Sequence, residues 1–429
     1  MKISPGLARP TRALRVLALV LMTAAMSAPL QPKFVLPAPT GRFGVGTTSW
    51  HVTDANRLES FAASPVRREV KVVAWYPTAA ASKNRAGPRA PYLRESLVEA
   101  RTFASVVRAP GAFDDLADVE THSVIDGKLV PGSAKLPLLA FSHGYTGLVS
   151  AYTSLLEDLA SHGFIVLSIA HPYEVVATSL SNGAIVTMLD SAGGMRRGIL
   201  DVLNEWNDED STMGRVTRAS DEAEQLRILR EYLGSVPRTH AVIDRWVKDT
   251  RLVLDNLPVL PAATTAGRLA RRADMTRLGI LGHSMGGVVA GEFCVVDARC
   301  RAGLNLDGIP QSGTMIDAKM KRPFMMVYSA RPGRLGASDA IYRRGASPYY
   351  RVDVDSTRHA DFSDMNFWGG PLRRFGITGA IAPERASELT RLIVREYFNH
   401  ELRGMPSPLL NGTLRLPDAR VHRISGVTG

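Results

Sequence analysis

Cysteine is nearly absent: Cys294 and Cys300 are the only two in 429 residues. Two thiols are too few for a disulfide scaffold or a zinc ribbon. Aromatic residues make up 7% of the chain, and none interleave with a basic tract, so nucleic acid is a poor partner. No internal stretch reaches the ~20 apolar residues that span a bilayer, which excludes a polytopic membrane protein. No repeat is evident. What is present is ordinary for a globular chain: 45% hydrophobic and 22% charged residues, enough to bury a sizeable core. The net charge is +11, and Lys2, Arg9, Arg12 and Arg15 lie within the first 28 residues, which contain no acid. The remaining excess is spread along the chain and gives weak support for contact with an anionic membrane or lipoprotein surface.

Residues 1–28 have a cationic start, an apolar run from Val16 to about Leu21, and then the small residues Ala24, Ala25, Ser27 and Ala28. This is the layout of a secretory signal peptide and predicts a secreted or periplasmic protein. Residues 29–40, with Pro29, Pro32, Pro37 and Pro39, read as a stiff linker. Export to an oxidising compartment would permit a structural disulfide between Cys294 and Cys300.

The body, residues 41–405, reads as one α/β domain. Val70–Tyr76, Leu136–Ser142 and Phe164–Ile169 are apolar strand-like runs. Leu155, Leu156 and Leu159, between the last two, recur at helical spacing. Strand, helix, strand within about 30 residues is a βαβ unit and implies a mostly parallel sheet flanked by helices. The pattern resumes with a helix over 241–257 and strands over 278–281, 302–306, 324–328 and 349–354. A helix over 288–293 falls between the first two of these strands, and a last one covers 384–400. Two inserts, about 91–130 and 172–240, exceed ordinary connections and predict a cap or lid over the strand ends. Residues 406–429 read as a C-terminal tail. Gly41, Gly44 and Gly46 lack dinucleotide-loop spacing and read as a hairpin turn.

The strongest local signal is Gly282-His283-Ser284-Met285-Gly286-Gly287, between a strand and an apolar helix. A G-x-S-x-G turn must reverse from strand to helix in a few residues, and its glycines remove side chains that would collide there. Ser284 is thereby presented at a helix N-terminus. A serine hydroxyl needs a base, and the base needs an orienting acid. The order in α/β-hydrolases is Ser, acid, His. Of the histidines after Ser284, His400 lies on a helix and His422 in the tail, which leaves His359 just past a strand. Asp307, at the end of the strand Gly303–Leu306, is the better acid; Asp355, Asp361 and Asp364 are rivals, the last two also readable as helix caps. An oxyanion hole needs two donors. Met285 N–H is one, and Tyr145 N–H, in Ser142-His143-Gly144-Tyr145, is the other. His143 and His283 read as structural braces. His122 and His240 lack partner spacing for a metal, and no metal or cofactor is implied.

Taken with Trp75-Tyr76-Pro77, Thr121-His122-Ser123, the segment Leu159–Val166 and Asn305-Leu306-Asp307-Gly308, these motifs resemble the platelet-activating-factor acetylhydrolase (plasma, isoform II) family of α/β-hydrolases and its secreted bacterial relatives. The resemblance covers about 40 to 380. It implies Ser284 as nucleophile, Asp307 as acid, His359 as base, Tyr145 and Met285 as oxyanion donors, and short or oxidised phospholipid acyl esters as substrates. The chain departs at Met285, where the plasma enzyme has an aromatic residue, and across 172–240. Two other readings are a polyester or cutinase-like hydrolase, disfavoured by the inserts, and a hydrolase-like binding protein that has lost catalysis.

Overall fold

A computed structural model describes residues 34–79, 87–344 and 348–424. The expected signal peptide and the first part of the linker lie outside these residues.

Thirteen strands are seen among the described residues: β1 (Gly44–Leu58), β2 (Arg67–Thr78), β3 (Arg89–Pro91), β4 (Glu120–Ile125), β5 (Leu136–Ser142), β6 (Ile165–Ala170), β7 (Ala177–Ser179), β8 (Ile185–Thr187), β9 (Ala273–His283), β10 (Cys300–Leu306), β11 (Phe324–Ser329), β12 (Tyr349–Val354) and β13 (Ala419–Ile424). The longer helices are α1 (Leu97–Val106), α2 (Thr153–Ser161), α3 (Arg197–Glu205), α4 (Glu209–Arg218), α5 (Glu222–Gly234), α6 (Pro237–Asn256), α7 (Thr265–Arg272), α8 (Met285–Val296) and α9 (Pro383–Arg403). Eleven strands form one sheet in the order β13-β12-β11-β10-β9-β5-β6-β2-β1-β4-β3, and β7 with β8 makes a separate hairpin. From β12 to β6 all neighbours run parallel. This six-stranded centre is the mostly parallel α/β-hydrolase-type sheet that the βαβ pattern predicts.

The continuous apolar sequences of the central strands follow from burial on both faces. Leu139, Phe141, Val166 and Leu281 point into a core shared with α2 and α9. The alternating positions Leu138, Ala140, Leu167 and Ile280 point into a second core shared with α6 and α8. Helix α8 is buried along its length from Met285 to Cys294, which is why its sequence is apolar but for Glu292, whose carboxylate accepts from Ser312 Oγ. Cys294, on α8, and Cys300, opening β10, are bridged with their Cα atoms 5.1 Å apart.

Four expectations need correction. Residues 34–40, expected as the end of a linker, pack on the domain: Phe34 and Leu36 are buried in its core and Thr40 N–H donates to Asp158 at 2.8 Å. Gly44 and Gly46 lie in β1, a fifteen-residue strand antiparallel to β2, and make no hairpin turn. A Cβ on Gly46 would come within 2.5 Å of the Tyr76 ring, so the glycine admits a close ring. The tail supplies β13, which pairs antiparallel with β12 and closes that edge of the sheet. Part of the 91–130 insert is not a lid: β4 pairs parallel with β1 and β3 pairs with β4, extending the opposite edge.

The 172–240 insert does reach the strand ends. Glu209 on α4 accepts from Gln311 Nε2 at 2.6 Å and from Arg334 Nη2 at 2.7 Å. Asp210 accepts from Arg331 at 3.1 Å and from Arg334 Nε at 2.8 Å. Gln311 and the two arginines lie on the chain leaving β10 and β11, so α4 is anchored over that rim.

Candidate active site

The elbow is built by close packing. Ser284 sits between β9 and α8 with φ 56° and ψ −124°, a conformation L-residues rarely adopt. Its N–H is held by the Leu306 carbonyl at 2.8 Å. A Cβ on Gly286 would lie 2.0 Å from the Ser142 carbonyl oxygen, and one on Gly282 would lie 2.3 Å from Gly286. Only glycine lets α8 start this close to the end of β5. Gly287 makes room for Asn305, whose Oδ1 would be 2.1 Å from an added Cβ.

Asn305 in turn shapes the next strand end. Its Oδ1 accepts from Gly308 N–H at 2.7 Å and its Nδ2 donates to the Gly308 carbonyl at 2.9 Å. This clamp holds Asp307 at φ 57°. The Asp307 carboxylate then accepts three hydrogen bonds: from Ser329 N–H at 2.7 Å, from Ser329 Oγ at 2.8 Å and from His359 Nδ1 at 2.8 Å. Burial alone would push the carboxyl pKa up. The hydrogen bond and charge of His359, the Ser329 amide and the Arg331 charge outweigh it and leave Asp307 below its ordinary value.

His359 opens a short 3-10 turn after β12 and keeps about a third of its side chain exposed (35%). The carboxylate at Nδ1 accepts only, so Nδ1 carries the proton and Nε2 is left as the basic nitrogen. The elbow touches this residue directly: His283 Nε2 donates to the His359 carbonyl at 2.8 Å, and the two rings are 4.5 Å apart.

Tyr145 lies on the loop after β5, next to the elbow; a methyl group on Gly144 would come within 3.3 Å of Ser284 Cβ. The amides flanking Tyr145 are engaged, Gly144 N–H by Tyr152 Oη at 3.3 Å and Thr146 N–H by the Glu174 carbonyl at 2.9 Å. Among the described residues the Tyr145 and Met285 amides have no protein acceptor.

His143 is fully buried. Its Nδ1 donates to the Gly144 carbonyl at 2.7 Å, and its Nε2 accepts from His171 N–H at 3.3 Å. Burial, then the neighbouring His171, pushes its pKa down to about 3, so it is a neutral brace, as the sequence suggests. His171 is pinned in turn by Asp249 at 2.8 Å and stacks on Trp246 at 3.9 Å.

The rival acids face elsewhere. Asp355 pairs with Arg420 at 2.6 Å. Asp361 caps its own turn through Arg358 N–H at 2.7 Å, in line with the cap reading. Asp364, also expected as a cap, instead bridges to Ser154 N–H at 3.1 Å. His400 bonds the Met405 carbonyl, and His422 lies on β13 beside Asp353. Sequence reading missed Ser329, Tyr152, His171 and Asp249. The strand end Ser329-Ala330 was legible only as lacking a carboxylate, and nothing local to the other three marks their partners. Among the described residues no cluster could hold a metal ion.

A mostly parallel sheet, a serine on a strained strand-to-helix turn and an Asp-His pair past the ends of β10 and β12 define an α/β-hydrolase-type fold. The chain belongs to the family "Platelet-activating factor acetylhydrolase, isoform II", whose model matches residues 30–402. It is 23% identical over 423 residues to the Arthroderma benhamiae protein named "Probable 1-alkyl-2-acetylglycerophosphocholine esterase", covering 91% of this chain and 94% of that one. It is 22% identical to the Gallus gallus platelet-activating factor acetylhydrolase, over 60% of each chain. A solved ferulic acid esterase from Streptomyces cinnamoneus matches with a TM-score of 0.67 at 25% identity, covering 91% of this chain and 99% of that one. These similarities make the chain a carboxylic ester hydrolase.

Proposed function

We propose that the protein is an exported serine esterase that cleaves short-acyl esters of the phospholipid type through Ser284, His359 and Asp307. The observation that carries the reading is the 2.8 Å contact of His359 Nδ1 with Asp307, on a histidine whose carbonyl is hydrogen-bonded to the residue preceding Ser284. Ser284 Oγ attacks the ester carbonyl while His359 Nε2 takes its proton. Asp307 fixes the tautomer and stabilises the imidazolium. The Met285 and Tyr145 amides receive the oxyanion, helped by the N-terminal end of α8. His359 returns the proton to the departing alcohol, and water then hydrolyses the acyl-enzyme by the same route.

The substrate class rests on the family and on relatives named for acetyl-ester cleavage. Helix α4, anchored over the rim through Glu209 and Asp210, supports reading the 172–240 insert as a cap, which suits a small ester more than a polymer chain. Export is supported by the N-terminal pattern and by the bridged cysteines, which suit an oxidising compartment. The test is a series of nitrophenyl esters from C2 upward, with short-chain phospholipids, a hydroxycinnamate ester and a polyester film. The highest kcat/KM is expected on acetyl or butyryl esters, and Ser284→Ala should lose at least roughly a thousandfold while staying folded. A preference for film or for long acyl chains would overturn the substrate reading, and an active Ser284→Ala would overturn the nucleophile.

A further inference from the structure

Tyr152 and His283 are buried beside the site but belong to neither its reacting groups nor its oxyanion donors. Their hydrogen bonds form a directed chain. His283 Nε2 faces the His359 carbonyl at 2.8 Å, and a carbonyl only accepts, so Nε2 bears the proton. Nδ1 of the same ring is therefore a bare acceptor, and the Tyr152 hydroxyl, 2.9 Å away, donates to it. Tyr152 Oη also receives Gly144 N–H at 3.3 Å. One line thus runs from the loop beside the oxyanion donor, through a phenol and an imidazole, to the backbone of the base. Burial and the adjacent His359 lower the His283 pKa to about 3, so the ring stays neutral throughout the working range. The phenol is raised above its ordinary value by burial and stays protonated.

We infer that Tyr152 and His283 are positioning residues: the accepting His359 carbonyl fixes the His283 tautomer, Tyr152 satisfies the bare Nδ1 and fixes the ring's orientation, and the ring holds the His359 backbone so that its imidazole meets Asp307 and Ser284 together. This rests on the triad reading above. Without the Tyr152 hydroxyl, Nδ1 is a buried acceptor that has lost its donor, and the ring loses the contact that fixes its orientation. A ring turned from this position no longer aims Nε2–H at the His359 carbonyl, and the turn bearing the base loses its tie to the elbow. The 3-10 turn that opens at His359 is also held by Arg358 N–H and Gly379 N–H on the Asp361 carboxylate and by Ala360 N–H on the Ile377 carbonyl, but among the described hydrogen bonds its tie to the elbow is the one from His283.

Two substitutions at position 283 separate positioning from packing. In His283→Gln the amide nitrogen reaches the place of Nε2 and can still donate to the carbonyl. In His283→Asn the amide reaches only the place of Nδ1. Misplacing a reacting group by about 1 Å can cost ~100-fold, so His283→Asn should lose ~10- to 100-fold in kcat with KM within about twofold. His283→Gln should stay within about fivefold of the parent, because the donor to the base turn survives. The rate of fluorophosphonate labelling should follow kcat in both, since labelling needs the same serine–histidine pair. A merely structural role would lower the thermal midpoint of both variants without separating their kcat values. Should either fail to fold, Tyr152→Phe decides: its ring can keep the contact with Phe141, 4.7 Å away, and roughly tenfold lower kcat at constant KM is expected. Equal kcat for the Asn and Gln variants, or an unchanged Tyr152→Phe, overturns the inference, provided Ser284→Ala is inactive. An active Ser284→Ala instead overturns the triad reading.

Discussion

The Asp307 carboxylate accepts one hydrogen bond from the base and two from Ser329. Asp307→Asn keeps the shape but turns one oxygen into a donor, which must oppose either His359 Nδ1–H or the Ser329 donors. Turnover should fall by on the order of 10³- to 10⁴-fold, as removal of the orienting carboxylate does in serine proteases, with little change in KM. Ser329→Ala removes one of the three donors and leaves the amide. Less than a tenfold loss is expected, and a loss as large as that of Asp307→Asn would mean the hydroxyl acts in the reaction itself. Asp307 and His359 were legible because each follows a strand-like run and sits in the hydrolase chain order. Ser329 and Tyr152 were not. Their roles depend on partners 22 and 131 residues away, on Asp307 and His283, and such pairings leave no mark on the local sequence.

The elbow is an element whose geometry is set by the absence of side chains. Gly286→Ala would drive a methyl group to 2.0 Å from the backbone oxygen of Ser142, where no flexible side-chain end can yield. The variant should fold poorly or lose activity beyond what the added carbon suggests, and a parent-like midpoint and rate would contradict the packing described. The Cys294–Cys300 bridge joins the end of α8 to the start of β10 across a separation of six residues. Closing so short a loop constrains the unfolded chain modestly, so replacing both cysteines with alanine should cost about 2 kcal/mol, read from denaturant unfolding. Long apolar or strictly periodic elements, β5, β6, α6 and α8, were readable because they are buried on two faces or along one stripe. The strands at the sheet margins were not: apart from the buried Ala419, β13 is exposed or half-buried, and β1 mixes threonine, histidine and glycine among its apolar positions. A half-solvated strand carries too few apolar residues to stand out from loop.

At the scale of the whole molecule, buried ionisable groups set opposing pH dependences. His143 and His283 are held neutral with pKa values near 3, below the ordinary histidine value, mainly by burial. The unfolded chain binds their protons first, so these residues destabilise the fold progressively as pH falls from about 6.5 towards 3. Glu99 and Asp364 are pushed up to about 7 by burial. They bind protons first in the folded state, so their contribution grows as pH falls from about 7 and is complete near their unfolded values of ~4. Between about pH 7 and 4.5 the two sets act in opposite directions, with His162, His171 and His240 adding to the first and Glu59, Glu157, Glu292, Asp361 and Glu401 to the second. Below that the carboxylic acids have nothing more to give, while the histidines and the depressed carboxylates of Asp307 and Asp249 continue to lose stability. The thermal midpoint should therefore be nearly flat from pH 7 to about 4.5 and drop steeply below. A steady decline starting at neutral pH in a calorimetric series would contradict this balance.

Ser284, Asp307 and His359 come from three separate strand ends, and only the sheet brings them to one rim. The most direct test is to treat the folded protein with a fluorophosphonate and locate the adduct by peptide mass spectrometry. Near-stoichiometric modification at Ser284, largely abolished in His359→Gln, is the predicted result. An adduct on another residue, or none in a protein that still hydrolyses esters, would contradict it.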